Sequence, residues 1–302
     1  MRIALLLAAS LATAAQPALA APSSVANIAE STPTVRLPHI SIVTIGKGEP
    51  IVLIPGLSSP RAVWDATAAE IGRDRKLILV QVNGLAGDDP GANLQPGILA
   101  GIVEDLHAYL QREKLGPVRL VGHSMGGLAG LMFAHAYPRD VQSLMVVDAL
   151  PFFPVLMDPN ATAEQARPIA AMMRDKVAAA YGKPVDPATV EANVKSLALK
   201  PESIALMKTW AAAADPRVTA SALYDDMTTD ARPMLPAIKA PITVVVPWSD
   251  SAFGKERTLA FYGRQYAGAT SVRYADIGDA GHFVMLDQPG RFSEELKSFL
   301  SK

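Results

Sequence analysis

Cysteine is absent from the 302 residues, which excludes disulfides, thiolate metal sites and a lipid anchor built on a cysteine. Stability must come from core packing alone. Charge is also scarce: 19% of residues are charged and they sum to a formal net charge of -1. No general basic field is therefore available to attract phosphates, and no Lys/Arg cluster is interleaved with aromatics, so nucleic-acid binding is not expected. The five histidines are scattered, too dispersed to form a metal cluster with carboxylates, and neither a metal nor a cofactor is expected. Beyond the N-terminus there is no apolar run long enough for a membrane span. What is abundant is apolar sequence, 50% of the chain. That is too much for disorder and enough for one large α/β domain, with or without an insertion.

The chain begins Met1-Arg2, continues through an apolar stretch at 3–15, and reaches Gln16-Pro17-Ala18-Leu19-Ala20 before Ala21. A short positive region, an apolar core and an A-x-A site read as a secretory signal cleaved after Ala20, which predicts an exported, periplasmic or secreted protein without stable membrane insertion. Residues 21–38, rich in Ser, Pro, Ala and Thr, read as a flexible lead-in, with order beginning near Ile40.

From there, β-branched runs at 40–45, 50–54, 76–82, 118–121, 143–147, 242–246 and 272–277 alternate with helical patterns at 99–114, 125–137 and 291–300. This is the pattern of a mostly parallel, doubly wound sheet. The alternation stops at 151–236, where Ala-rich helical segments follow one another and Phe152, Phe153, Trp210 and several methionines collect. The stretch is predicted to be a helical cap of soft apolar character, inserted into a core formed by 39–150 and 237–302.

The strongest local signal is Gly122-His123-Ser124-Met125-Gly126 between a short apolar strand and a helix of small residues. In this strand-turn-helix context G-x-S-x-G is a nucleophile elbow: the turn is tight, its glycines avoid collisions, and the serine hydroxyl projects from the carboxyl edge of the sheet. A phosphate loop would need Lys-Ser/Thr after the glycines and a dinucleotide fingerprint would need G-x-G; neither is present. The helix that starts behind Ser124 leaves N–H groups unpaired where an oxyanion would develop, and one belongs to Met125. A second donor is expected from Pro55-Gly56-Leu57-Ser58, the turn after 50–54, with Leu57 favoured over Ser58.

Of the histidines, only His282 lies in a loop directly after the last strand, at the sheet edge that faces such a site. His123 is expected to be structural, held under the turn. Two aspartates fall between nucleophile and histidine at strand ends. Asp250 ends 242–250 and Asp148 ends 144–148. Asp250 is favoured because its strand should neighbour the histidine strand. Asp225 and Asp226 read as solvated turn acids.

With these residues the chain resembles the α/β-hydrolase superfamily, in particular its capped esterases and its haloperoxidase-like and C–C hydrolase-like branch. The motifs are Pro55-Gly56-Leu57, Gly122-His123-Ser124-Met125-Gly126-Gly127, Asp250, and Gly281-His282-Phe283 with Leu286-Asp287-Gln288-Pro289. The resemblance implies an eight-stranded core, a lid after the sixth strand, and nucleophile, acid and base roles for Ser124, Asp250 and His282. One departure is Pro55-Gly56 where many relatives have His-Gly; another is that no first strand is evident before Ile40. The expected activity is hydrolysis of a carboxylic ester, or related acyl bond, of a small, largely apolar molecule through an acyl-enzyme. Amide or C–C hydrolysis would use the same three residues. A non-catalytic small-molecule binder of the same fold is the reading from another class.

Overall fold

Continuous apolar runs need cover on both faces, and the chain supplies it by alternating strands with helices. The computed structural model describes residues 33–184 and 186–302. The predicted signal at 1–20 and all but the end of the predicted lead-in lie outside them. In chain order the strands are β1 Thr34–Arg36, β2 Ile40–Ile45, β3 Pro50–Ile54, β4 Lys76–Val82, β5 Val118–His123, β6 Val141–Val147, β7 Ile242–Trp248 and β8 Val272–Gly278. The helices are α1 Asp65–Ile71, α2 Ile98–Arg112, α3 Met125–Ala136, α4 Ala163–Ala178, α5 Pro187–Val194, α6 Pro201–Ala213, α7 Pro216–Thr228, α8 Gly254–Gln265, α9 Val284–Asp287 and α10 Pro289–Leu300.

The sheet order is β1-β2-β4-β3-β5-β6-β7-β8. β3 to β8 run parallel to one another, and β1 and β2 form an antiparallel edge, β2 pairing antiparallel with β4. β1 corrects the sequence reading, which placed residues up to 38 in a flexible lead-in: Thr34 pairs with Val43 and Arg36 with Ser41. Only three residues pair, with a half-buried Val35 between exposed neighbours. Such a short edge strand has no run of apolar residues to betray it.

Alternate residues of each strand feed opposite cores. Val52, Ile54, Val80 and Val146 pack with Leu106, Leu128 and Phe133 from α2 and α3 on one face. Ile51, Leu53, Leu79 and Val147 pack with Ala68, Trp64, Phe292 and Phe299 from α1, its preceding turn and α10 on the other. β3 and β4 are wound in one direction, and β5 returns to the far side of β3. The winding therefore reverses between β3 and β5, the place where a crevice opens at the carboxyl ends of the strands.

Four helices, α4 to α7, separate β6 from β7 and form the cap. Their starts are legible chemically. Thr162 and Gln165 form a reciprocal capping box on α4, and Asp186 and Asp215 accept from the first N–H groups of α5 and α7. Pro187, Pro201 and Pro216 stand at the first helical position, where the missing N–H is no loss. α7 is the helix that ties the cap to the core. Val218 lies under it against Gly84, Asp225 accepts from Leu99 N–H at the start of α2 (3.1 Å), and Thr219 reaches Ser58 Oγ at 3.3 Å.

Candidate active site

The ends of β3 and β5 lie side by side, with Ile54 opposite Gly122. Beyond them the two turns press together. Ser124 has φ 53° and ψ −125°, a conformation that side-chain-bearing residues avoid and that survives only when the surroundings enforce it. Here they do. A Cβ on Gly122 would stand 2.2 Å from the Gly126 carbonyl oxygen, and one on Gly126 would stand 2.5 Å from the carbonyl oxygens of Ile54 and Pro55. Backbone packs on backbone through both glycines, and Ser124 is turned up at the strand end. Gly56 is less tight but still close, since a Cβ there would meet His123 Nδ1 at 2.9 Å and Ser124 Cβ at 3.0 Å. Leu57 follows directly in that turn. Met125 is the first residue of α3, so its N–H has no intrahelical acceptor.

Ser124, Met125, Asp148 and His282 line one cavity of about 910 Å³ beneath the cap. The His282 ring is held from below and from the side. Its Nδ1–H donates to Asp148 Oδ2 at 2.6 Å, and the other oxygen of that carboxylate accepts from the Tyr262 hydroxyl. Burial first, and then the Asp148 charge, push the Tyr262 phenol well above its usual range, so it stays a donor. Asp148 has φ 43°, and its N–H is bonded to Val245 O at 3.0 Å. The carboxylate is thereby fixed at the end of β6, between β5 and β7.

This arrangement corrects the choice of acid. Asp250, favoured from sequence, is exposed and not in contact with His282; the side chains of Ser249, Ser251 and Ala252 around it line the cavity, but its own does not. The reason is strand length. β7 continues through Pro247-Trp248 and then closes a tight turn, with the N–H groups of Ala252 and Gly254 both bonded to Ser249 O, so Asp250 rides on the outside. Asp148 follows its last strand residue directly, beside the elbow. Nearness of strands was the wrong criterion; distance from the strand end was the right one.

His123 is fully buried, and its Nε2–H donates to the His282 carbonyl at 2.9 Å. Burial, with the neighbouring His282 ring, drives its pKa well below the ordinary value, so it remains a neutral donor. It is a structural residue, as expected, and it positions the backbone of His282. A second support was not anticipated. The fully buried Asp287 accepts from Gly281 N–H at 2.9 Å, from Leu199 N–H at 2.9 Å and from Lys200 N–H at 3.2 Å, while Phe283 N–H donates to Leu197 O. One carboxylate thus ties the His282 loop to the cap linker between α5 and α6.

Asp226 is the other departure. Neither it nor Asp225 is a solvated turn acid: both sit on α7, where Asp225 accepts from Leu99 N–H and Asp226 lines the cavity with Ser124 and His282. Burial raises its pKa to about 7, opposed by His282 and assisted by Asp225. Helical spacing could have shown that Thr219, Ala222 and Asp226 share one face of α7; nothing in the sequence shows that this face looks into the site.

The family model described as "Alpha/beta hydrolase family" matches residues 51–295. Among solved structures, a thermophilic esterase from Thermogutta terrifontis, solved with malate bound, superposes with a TM-score of 0.73 at 22% identity, covering 89% of this chain and 98% of that one. The enol-lactonase from Burkholderia xenovorans gives 0.71 at 18% identity, covering 89% of this chain and all of that one. These likenesses show the fold. Among curated proteins, N-formylmaleamate deformylase of Pseudomonas putida is 30% identical over 103 residues, 34% of this chain and 38% of its own length. Polyketide synthase ThaQ of Burkholderia thailandensis is 26% identical over 265 residues, 85% of this chain. The chain spans 12% of that synthase's length.

Proposed function

We propose, from the premise that this chain belongs to the α/β hydrolase family, that it is a serine hydrolase cleaving a carboxylic ester or a related acyl bond of a small molecule. The observation that carries the reading is the 2.6 Å bond from His282 Nδ1 to Asp148 in a cavity shared with the strained Ser124. With Nδ1–H donated to Asp148, the lone pair of the ring is on Nε2, the nitrogen needed to take the Ser124 proton. The Ser124 oxygen attacks the acyl carbon, and the N–H groups of Met125 and Leu57 receive the developing oxyanion. His282 passes the proton to the departing alkoxide, forming the acyl-enzyme. A water molecule, deprotonated by His282, then releases the acid and restores Ser124. Asp148 stabilises the imidazolium in both steps, and Tyr262 holds the carboxylate still.

The test is hydrolysis of short p-nitrophenyl esters, together with labelling by a fluorophosphonate probe and mass mapping of the adduct. Ser124→Ala should lower kcat by a factor on the order of 10⁶, and the label should map to Ser124. An active Ser124→Ala protein, or a label elsewhere, ends the proposal. The Met1–Ala20 pattern supports export to the periplasm or medium, which is checked by N-terminal sequencing of the secreted form.

A further inference from the structure

The cavity is charged unevenly. Its inner part holds two carboxyl groups: Asp148, engaged by His282 and Tyr262, and Asp226 on α7. Its solvent-exposed lining holds three cations: Arg257 and Arg264 on α8, and Lys195 at the end of α5 on the cap. Arg257 and Arg264 are seven residues apart, two helical turns, so they share one face of α8 about 10 Å apart along its axis. Lys195 comes from a different wall.

None of the three has an ion-pair partner among the described residues, although cations on α8 and on the neighbouring α6 do. Lys255 on α8 bonds Asp276 at 2.8 Å, and Lys208 on α6 takes the carboxylate of Glu191 at 2.6 Å. Glu191, the acid one turn before Lys195, makes its direct ion pair with Lys208 and feels Lys195 only at longer range. On α8, therefore, Lys255 is neutralised while the two arginines that line the cavity are not; Lys195 shares the field of Glu191 with Lys208. A chain with a net charge of -1 has set three cations around a largely apolar chamber that Leu156, Leu199 and Phe253 also line.

We propose that this rim selects acyl substrates carrying a second, anionic group remote from the scissile bond, such as the half esters of dicarboxylic acids. The inference deepens the serine-hydrolase reading and rests on it. The neutral ester end enters the apolar interior toward Ser124, while the carboxylate stays at the wet rim, where guanidinium and ammonium groups offer charge-assisted hydrogen bonds without deep desolvation. Because the cations are spread over about 10 Å rather than gathered in one nest, the rim tolerates several chain lengths. Asp226, whose carboxyl is held largely protonated below neutral pH by its burial, adds little opposing charge there.

The experiment compares monobutyl adipate with the analogue in which the free carboxylate is a carboxamide. Values of kcat/KM are measured by pH-stat for the wild-type protein and for the combined Lys195→Gln, Arg257→Gln, Arg264→Gln variant. Binding of both esters to Ser124→Ala is measured in parallel by calorimetry. The wild type should favour the half acid by about tenfold at 10 mM salt, falling to about threefold at 150 mM as the exposed charges are screened. The ratio should drop toward one in the triple variant. If neither ester is hydrolysed but Ser124→Ala still binds the half acid selectively, the reaction proposed above fails and the rim assignment stands. No discrimination between the esters in either assay overturns the rim assignment and leaves the reaction untouched. Cosedimentation with phosphatidylglycerol vesicles that the triple variant loses, without half-acid preference, also overturns it and gives the cations to a lipid surface.

Discussion

Asp148→Asn is the perturbation that most directly examines how His282 is oriented. Both oxygens of Asp148 are occupied, Oδ2 by the imidazole at 2.6 Å and Oδ1 by the Tyr262 hydroxyl. Asparagine supplies one acceptor. If its oxygen stays with Tyr262, the amide NH₂ faces Nδ1, which must then be unprotonated; the ring proton moves to Nε2, and the ring can no longer accept from Ser124. If the amide flips, the tautomer is correct but Tyr262 loses its acceptor. In either case the negative charge that stabilises the imidazolium is gone. The expected loss is about 10³ to 10⁴ in kcat, equivalent to about 4 to 5.5 kcal/mol at 1.36 kcal/mol per decade. The assay is steady-state hydrolysis of p-nitrophenyl butyrate, with calorimetric melting of both proteins to separate turnover from folding. Asp250→Asn is the internal control, since that side chain is exposed on the turn after β7; its effect should stay within about twofold, the range of surface substitutions. An Asp148→Asn protein within about tenfold of wild type, with Asp250→Asn losing about a thousandfold, would refute the geometry as the basis of the acid assignment.

Asp226 makes a prediction about pH. Its folded pKa of about 7 lies above the ordinary 3.8, so between those values the folded protein binds more protons than the unfolded chain, and stability falls as pH rises through the window. Asp226→Asn should remove that slope, so the variant gains in Tm relative to wild type between pH 4.5 and pH 8; equal Tm differences at both pH values would contradict the burial argument. Asp287→Ala leaves the N–H groups of Gly281, Leu199 and Lys200 without their acceptor. It should destabilise by about 3 kcal/mol in urea unfolding and lower kcat more than it raises KM, whereas a purely local loss of stability with normal kcat would rule out its role in positioning His282.

Most of the sheet was legible because buried parallel strands are apolar throughout, and the apolar runs at 50–54, 76–82 and 118–121 fall on β3, β4 and β5. The elbow was legible for a different reason: Gly122 and Gly126 stand where the backbone leaves no room for a Cβ, and that constraint is written directly in residue type. What stayed hidden depends on distances across the fold. The sequence places Asp148 and Asp250 each near a strand end, but only the extra length of β7 decides which carboxylate reaches His282. Tyr262, Asp226 and Asp287 are ordinary helical residues by spacing, and their roles arise from contacts with residues 88 to 114 positions away in two of the three cases. β1 was missed because three paired residues carry too little apolar patterning to be read.

The buried Asp287 joins two parts of the molecule that are far apart along the chain. Its oxygens grip the loop before His282 and the linker at Leu199 and Lys200 together. Roof and histidine loop thus hang from a single hidden peg, and a substitution that removes it unfastens both at once.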